Sequence, residues 1–284
     1  MITAQSLLFI GLAIAFSSAS KLLQRYVLKD HEPYAFAWLS NVVATLIFLP
    51  FVLFEFSLPT GLTAWTLLIT GSLLWTIISM SHAVARKATE ISLNDPLGQT
   101  KLVWGLIFGI ILLGEAITSG RILGTFIIFI GVSLLMWHPE RKFGKLSDPG
   151  VQWTLATAFL SAIAALVDKS ALQWFSPIVY AFLVFFFPSL LLSLFLPKQI
   201  VHVKHLLRRR WFVVISAVIL MTCAYYFILR TFALMDFTLA FPLLQLSTLV
   251  IVLGGMIFLK EREHFWQRII AAILVIVGSI VIGL

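Results

Sequence analysis

The chain has 284 residues, of which 61% are hydrophobic and only 11% are charged. This balance excludes an ordinary soluble domain and indicates a helical protein that crosses a membrane many times. The formal net charge is +8, but the basic residues cluster between apolar runs and no soluble stretch could form a nucleic-acid-binding face. The single cysteine, Cys223, lies inside an apolar run, which excludes an intramolecular disulfide or a thiolate metal cluster. We predict no nucleic-acid partner, no metal and no cofactor.

Ten apolar runs follow one another, each close to the ~20 residues that a helix needs to cross a bilayer. In the first half they are residues 4–28, 34–54, 64–85, 90–113 and 120–138. In the second half they are residues 151–172, 177–196, 211–232, 237–259 and 265–283. The first run has no basic residue before it, so we predict a retained helix and not a signal peptide. The polar segment 139–150 is the predicted linker between two domains, 1–138 and 151–284.

The two halves repeat each other. Five matched pairs lie 146 positions apart: Glu90 and Asp236, Ser92 and Thr238, Pro96 and Pro242, Gln99 and Gln245, Glu115 and Glu261. Further pairs, at slightly different spacings, are Ser18 and Ser161, Arg25 and Asp168, and Arg121 and Arg268. Because each copy has an odd number of runs, the second copy must enter the membrane from the opposite face. The predicted fold class is therefore an all-α integral membrane protein with ten transmembrane helices, arranged as two inverted five-helix repeats around a midplane site.

The distribution of lysine and arginine predicts the orientation, because these residues favour the cytoplasmic side. Fifteen of them lie in or beside the loops that follow odd-numbered runs, whereas only Arg121 and Arg230 lie at the opposite ends. This bias predicts that both termini lie outside the cytoplasm. We predict a multi-pass protein of the cell (inner) membrane.

One sequence pattern occurs in both copies: a helix end rich in alanine, an early proline in the next helix, and a glutamate before a helix that carries glycine. It occupies residues 90–97, 113–115, 124 and 131–132 in the first copy, and 233–242, 260–261 and 278 in the second. The pattern resembles the EamA family of the drug/metabolite transporter superfamily, although Lys260 stands where that family has glycine. The resemblance implies a ten-helix secondary carrier that works by alternating access. It also implies cytoplasmic termini, which is the reverse of the charge-based prediction.

Several ionisable residues lie inside the apolar runs. On insertion scales such a residue costs roughly 2.5–3.5 kcal/mol, so it generally faces a cavity or a partner. Lys101 follows Asp95 by six residues on the fourth run, and Lys21 shares a helical stripe with Ser17 on the first. We interpret all four as candidate substrate contacts. A capping role for Asp95 before Pro96, and snorkelling of Lys101 to the membrane surface, are the alternatives.

Uncharged residues complete the predicted site. Gln99 and Gln245 occupy equivalent positions near the starts of two helices and would flank the substrate, with interhelical hydrogen bonding as the alternative. An aromatic wall is predicted from Trp75, His82, Trp104 and Tyr226, although aromatic residues on apolar helices commonly serve packing or interfacial anchoring.

Other charged residues are candidates for a gate or for structure. Arg25 and Asp168 place opposite charges at equivalent positions of the two copies, which suggests a gate, a coupling group, or salt bridges near opposite membrane surfaces. Glu115 and Glu261 border short interhelical loops. We expect these two carboxylates to cap helix N-termini, in preference to a role in proton coupling.

The sequence contains no HExxH, GxSxG or P-loop motif, and we predict that the protein is not an enzyme. We predict a secondary transporter that moves a small polar metabolite by alternating access, as an exporter or exchanger. Lys21 and Lys101 favour an anionic group, and Asp95 or Asp168 would meet an amino group or carry a coupling proton; a counter-substrate is the other coupling option. An amino acid or organic anion is favoured, with membrane lipids as the other partners. The alternatives are a flippase for a lipid-linked sugar and a non-transporting membrane enzyme or assembly factor.

Overall fold

The structure is a computed structural model that describes residues 3–28, 33–88, 97–137, 149–195, 197–258 and 264–283. All regular secondary structure in these ranges is helical. The helices are α1 (Ala4–Leu28), α2 (Pro33–Glu55), α3 (Leu62–Ala88), α4 (Lys101–Leu113), α5 (Ser119–Met136), α6 (Pro149–Ala171), α7 (Pro177–Phe195), α8 (Pro197–Leu234), α9 (Phe237–Leu243), α10 (Leu246–Phe258) and α11 (Phe265–Val281). Eight helical segments are long and apolar enough to cross a membrane, and Lys101–Leu113 and Trp266–Val281 are shorter apolar helices. The protein is a multi-pass integral membrane protein.

Prolines begin four of these helices. Pro33, Pro149, Pro177 and Pro197 are the first residues of α2, α6, α7 and α8. Proline suits this position because its backbone angle is already helical and its missing amide would have no partner in the first turn. These four prolines therefore mark helix starts.

Three of the predicted runs differ from the helices observed. The fourth run was expected to be continuous over 90–113, but a turn at 99–100 interrupts it before α4 begins at Lys101. The eighth run was expected at 211–232, but α8 begins at Pro197 and continues unbroken to Leu234. Its added turns are stabilised because Val203 and Leu206 are buried against the start of α2. The ninth run was expected to be continuous over 237–259, but a turn at 244–245 divides it into α9 and α10.

Most helix pairs in the bundle join the first copy to the second. The equivalent helices of the two copies are α1 and α6, α2 and α7, α3 and α8, α4 and α9–α10, and α5 and α11. Each contact between the copies has an equivalent contact with the roles exchanged: α1 with α8 matches α6 with α3, α2 with α8 matches α7 with α3, and α1 with α10 matches α6 with α4. The pairs α2 with α7, and α5 with α11, each join two equivalent helices. The helix contacts between the copies therefore follow an approximate two-fold symmetry.

Glycines bring the backbones of α5 and α11 together. A Cβ added at Gly124 would lie 2.6 Å from the amide nitrogen of Ile282, and one added at Gly278 would lie 2.8 Å from the amide nitrogen of Ile128. Gly131 faces α11 in the same way, 2.9 Å from the amide nitrogen of Val275. Small residues allow this approach in a membrane, where van der Waals packing drives helix association.

Four loops lie together at one end of the bundle: residues 56–61, 114–118, 172–176 and 235–236. Gly61 approaches the Trp174 ring to 3.6 Å, measured from an added Cβ. The Lys169 ammonium donates to the carbonyl of Met235 at 2.7 Å, and Glu115 accepts the backbone amide of Phe237. These contacts join the four loops, and we call this end of the bundle the loop end.

Candidate functional site

Both copies contain a tight turn at their shared glutamine. A turn at Gln99 and Thr100 precedes α4, and a turn at Leu244 and Gln245 separates α9 from α10. The amide of Leu102 donates to the carbonyl of Gln99, and that of Thr248 donates to the carbonyl of Gln245, both at 2.9 Å. Each bond spans three residues where an α-helix spans four, so the backbone is overwound there. Interrupted helices of this kind line the binding sites of many transporters.

Helix α1 meets the second of these turns. The Ser18 hydroxyl donates to the carbonyl of Ser247 at 3.0 Å, and the Ser20 hydroxyl donates to the carbonyl of Ala217 on α8 at 2.7 Å. Lys21 lies one turn beyond Ser17 and Ser18, on the face of α1 between these two contacts. Lys21 is nevertheless exposed.

Helix α4 presents Lys101 toward the second copy. Gly105 and Gly109, one and two turns further on, have α9 against them, since an added Cβ would lie 2.5 Å from Phe241 and 2.5 Å from Thr238 respectively. Lys101 is half-buried on this same face. Lys101 and Lys21 therefore both lie on surfaces where the two copies meet.

The two shared glutamines are buried beside their turns. Gln99 is 5% exposed and Gln245 is 8% exposed. The Gln99 amide nitrogen donates to the sulfur of Met136 at 3.3 Å, and among the described residues its Oε1 has no hydrogen-bond partner. A buried acceptor of this kind is costly unless something else satisfies it. Gln99 is therefore the better candidate of the two for a polar ligand contact.

A buried carboxylate joins four helices near the loop end. Asp168 of α6 is 1% exposed. It accepts hydrogen bonds from the Tyr180 hydroxyl of α7 at 2.8 Å and the Tyr225 hydroxyl of α8 at 3.0 Å. The Trp75 indole of α3 donates to both carboxylate oxygens, at 3.2 and 3.3 Å. We call Asp168, Trp75, Tyr180 and Tyr225 the Asp168 network; it ties α3 of the first copy to three helices of the second.

A second network crosses between the copies beside it. Glu115 accepts the backbone amides of Phe237 at 2.5 Å and Thr238 at 2.8 Å, and so caps α9. The Arg121 guanidinium pairs with Asp236 at 2.5 Å and donates to the Thr238 hydroxyl at 3.0 Å. We call Glu115, Arg121, Asp236 and Thr238 the Arg121 network. Here the expected capping by a loop glutamate is observed, but the capped helix belongs to the other copy.

Lys169 reinforces the same region. Its ammonium donates to the carbonyls of Phe232 at 2.5 Å and Met235 at 2.7 Å, which lie at the end of α8. A cation suits this position because the carbonyls at a helix C-terminus carry partial negative charge. α6 is thus attached to α8 by two consecutive residues, Asp168 and Lys169.

The predicted site residues do not all lie together. Ser17, Lys21, Gln99, Lys101 and Gln245 lie at or beside the two turns, where α1 and α4 meet the other copy. Trp75 and Asp168, predicted separately as wall and gate, contact each other. Tyr226 packs on aromatic rings, with its centroid 5.4 Å from that of Phe227 and 6.3 Å from that of Phe48. Asp95 and Glu261 lie outside the described residues, as do the side chains of Arg25 and His82.

Sequence reasoning missed the two tyrosines of the Asp168 network. Tyr180 had a signal, because its Tyr-Ala-Phe triplet repeats that at Tyr34, but the repeat indicated duplication and not chemistry. Tyr225 had none, because the matching position of the first copy is Ser79. In the described ranges no group of histidine, cysteine, aspartate and glutamate side chains is arranged to hold a metal ion.

Comparisons with solved structures show the fold. A crystal structure of another protein superposes with a TM-score of 0.80, covering 99% of this chain and 96% of that chain. The two sequences are only 15% identical, so this likeness shows the architecture alone. Among curated proteins, "Protein CLT3, chloroplastic" of Arabidopsis thaliana is 27% identical over 165 residues. That match covers 54% of this chain and 35% of the relative, so the chain spans about a third of that protein.

The family comparison covers nearly the whole chain in two parts. Residues 5–137 and residues 148–284 each match the EamA-like transporter family. The two matches correspond to the duplicated copies, and members of the family are membrane transporters. The chain belongs to the EamA-like transporter family.

Proposed function

We propose that the protein is a ten-helix secondary transporter, built from two inverted repeats, that moves a small polar metabolite by alternating access. An amino acid or organic anion is the favoured substrate, and the protein acts as an exporter or exchanger. The observation that carries this proposal is the way the two copies meet. Hydrogen bonds between the copies join them near the loop end, and Lys21 and Lys101 lie on surfaces where the copies meet, with Lys21 exposed.

The loop contacts support the inversion. The loop 172–176, which follows the first helix of the second copy, lies beside the loop 56–61, which follows the second helix of the first copy. Two copies with parallel orientation would place these loops on opposite sides of the membrane. The reciprocal helix pairs agree with a two-fold axis in the membrane plane.

Equivalent positions of the two copies differ in exposure, which supports a one-sided opening. At the spacing that matches Ser18 with Ser161, Lys21 corresponds to Ala164. Ala164 is fully buried, whereas Lys21 is exposed. A carrier that is open to one side of the membrane should show this difference in exposure. In such a carrier the face of α1 is open, whereas the equivalent face of α6 is closed.

The polar residues between the copies support the substrate class. Lys21 and Lys101 supply two positive charges at surfaces where the copies meet, which suits a carboxylate or phosphate. Ser17, Gln99 and Gln245 supply hydrogen-bonding groups beside the interrupted helices. The charge-based orientation makes the loop end the non-cytoplasmic side, in an inner cell membrane, so the exposed face of α1 would open to the cytoplasm.

Transport assays test this proposal. Amino acids and organic anions are first screened for thermal stabilisation of the purified protein, since a bound ligand raises stability by mass action. Counterflow of each hit is then measured in proteoliposomes. Lys101→Ala should abolish most of the counterflow, whereas Lys204→Ala, an exposed lysine on the extension of α8, should not. Equal counterflow in both variants would remove Lys101 from the site. Lipid translocation without counterflow of any hit would favour a flippase.

A further inference from the structure

We propose that the start of α8 carries a binding site for an anionic phospholipid, with the headgroup phosphate on Arg208 and an acyl chain on Trp211 and Phe212. The inference goes beyond the proposed transport function, because it concerns the lipid boundary of the protein and not its substrate. It assigns a ligand to an exposed face of α8.

The charges of α8 indicate where the hydrocarbon core begins and ends. Residues 211–229 contain no lysine, arginine, aspartate or glutamate. As a helix they extend about 28 Å, close to the ~30 Å hydrocarbon core of a bilayer. The basic run 208–210 lies immediately before this stretch, and Arg230 lies immediately after it. Arg208 is therefore expected at the level of the lipid headgroups.

The packing of α8 on α2 supports this level. Val203 and Leu206 form one buried cluster with Phe36, which lies in the first turn of α2. α2 is itself an apolar span that begins at Tyr34. The turn of α8 around Arg208 therefore lies beside the start of a membrane-spanning helix, and not in the solvent far beyond the membrane.

One exposed face of α8 joins a cation to two aromatic rings. Trp211 is 62% exposed and Phe212 is 68% exposed, and their ring centroids lie 5.8 Å apart. Arg208 is also exposed and precedes them by three and four residues, so the three side chains share one helix face. Aromatic rings at a membrane interface contact lipid, and a guanidinium beside them presents paired donors to a phosphate. The face therefore matches a phospholipid along its length, with the phosphate before the acyl chain.

Lys204 lies outside the site. It is exposed one turn before Arg208, which places it about 6 Å further from the hydrocarbon core. Exposed charges are screened over ~8 Å at physiological ionic strength, so a headgroup held at Arg208 gains less from Lys204. A basic residue beside a membrane surface raises the affinity for an anionic lipid about fivefold.

Native mass spectrometry of the purified protein in detergent tests this site. Dioleoyl phosphatidylglycerol and dioleoyl phosphatidylcholine are added in equal amounts, and the ratio in which the protein retains them is measured. We expect a preference for phosphatidylglycerol, which Arg208→Gln should lower about fivefold. Lys204→Gln removes an equal charge one turn away and should lower the preference only about twofold. Trp211→Ala should weaken retention of both lipids and leave the preference between them unchanged, because it removes a contact with the acyl chain.

Three results would overturn the proposal. Equal losses in Arg208→Gln and Lys204→Gln would mean that the preference comes from overall positive charge and not from a site at Arg208. Displacement of phosphatidylglycerol by glycerol 3-phosphate would show a site for free phosphate, without an acyl contact. Equal retention of the two lipids by the unsubstituted protein would show that the site does not select an anionic headgroup. Loss of the fold is not expected in these variants, because all three side chains are exposed.

Discussion

Substitution of Arg121 should shift the protein toward a conformation open at the loop end. Arg121 is 13% exposed and its partner Asp236 is 44% exposed, with 2.5 Å between them. A fully exposed pair contributes up to about 1 kcal/mol, and a hydrogen bond to a charged group up to about 3 kcal/mol. Because one partner is largely buried and the other is hydrated, we expect Arg121→Gln to cost the closed form about 1.5 kcal/mol.

This energy corresponds to roughly a tenfold rise in the ratio of open to closed molecules. Distances between spin labels on Thr63 of α3 and Leu234 of α8, in a Cys223→Ser background, measure that ratio. Arg268 occupies the matching position in the second copy. If the copies exchange roles between the two conformations, Arg268→Gln should shift the ratio in the opposite direction, toward the closed loop end.

The pair of variants provides its own control, because each removes one positive charge from an equivalent helix. Shifts of the same sign would mean that charge loss alone destabilises the protein. An unchanged ratio in Arg121→Gln, with the fold intact, would show that the Arg121 network does not hold the loop end closed. Either result would refute the reasoning.

Three further substitutions have distinct expected outcomes. Glu115→Gln should lower the free energy of unfolding by about 1–2 kcal/mol in denaturant titrations, because one amide of α9 loses its charged cap, whereas Glu55→Gln should have no effect. Gly124→Leu should abolish folding, judged by monodisperse yield, because its Cβ would meet backbone, whereas Gly11→Ala has nothing within 4 Å and should fold normally. Gln99→Met should leave thermal stability equal or higher, because it removes a buried acceptor that no described residue satisfies, yet it should weaken stabilisation by the substrate found in the screen.

The helical membrane class followed from the sequence because bilayer physics leaves so few options. Apolar runs of this length must satisfy their backbone hydrogen bonds internally, and a helix does so. The continuous extension of α8 was not predictable from hydropathy, because residues 197–210 are polar on average. Their helicity depends on tertiary burial of Val203 and Leu206 against α2. The turns at Gln99 and Gln245 were also not predicted, because both lie inside continuous apolar runs whose hydropathy gives no sign of a break.

The candidate site was predictable in its residue types but not in its partnerships. Lys21, Lys101 and Asp168 were predicted because a charged side chain inside an apolar run is energetically costly and is therefore expected to have a function or a partner. The partners of Asp168 could not be predicted, because they depend on the packing of α3 on α6, and these two helices are far apart in sequence. Trp75 lies 93 residues before Asp168, and no local periodicity relates the two.

Under the proposed alternating-access cycle, symmetry predicts that unmatched residues matter more than matched ones for the balance between the two conformations. In a two-fold carrier, a contact made by residues that both copies share is available in either conformation, so its free energy cancels between them. The Arg121 network consists of matched types, since Glu115, Arg121, Asp236 and Thr238 each have a similar residue in the other copy. In the proposed alternating-access cycle, such matched contacts would set the barrier between the two conformations, and the ratio would shift only when one copy's contact is removed without the other's.

Asp168 is different, because its counterpart is Arg25. Its hydrogen bonds to Trp75 and the two tyrosines cannot be repeated by an arginine at the matching position of the first copy. Their free energy therefore does not cancel between the two conformations of the proposed cycle. We therefore expect Asp168 to control which side of the membrane the carrier faces, and Arg121 with Arg268 to control how fast it changes. Simultaneous substitution of Arg121 and Arg268 by Gln should accelerate exchange between the conformations while leaving their ratio near that of the unsubstituted protein, whereas Asp168→Asn should change the ratio.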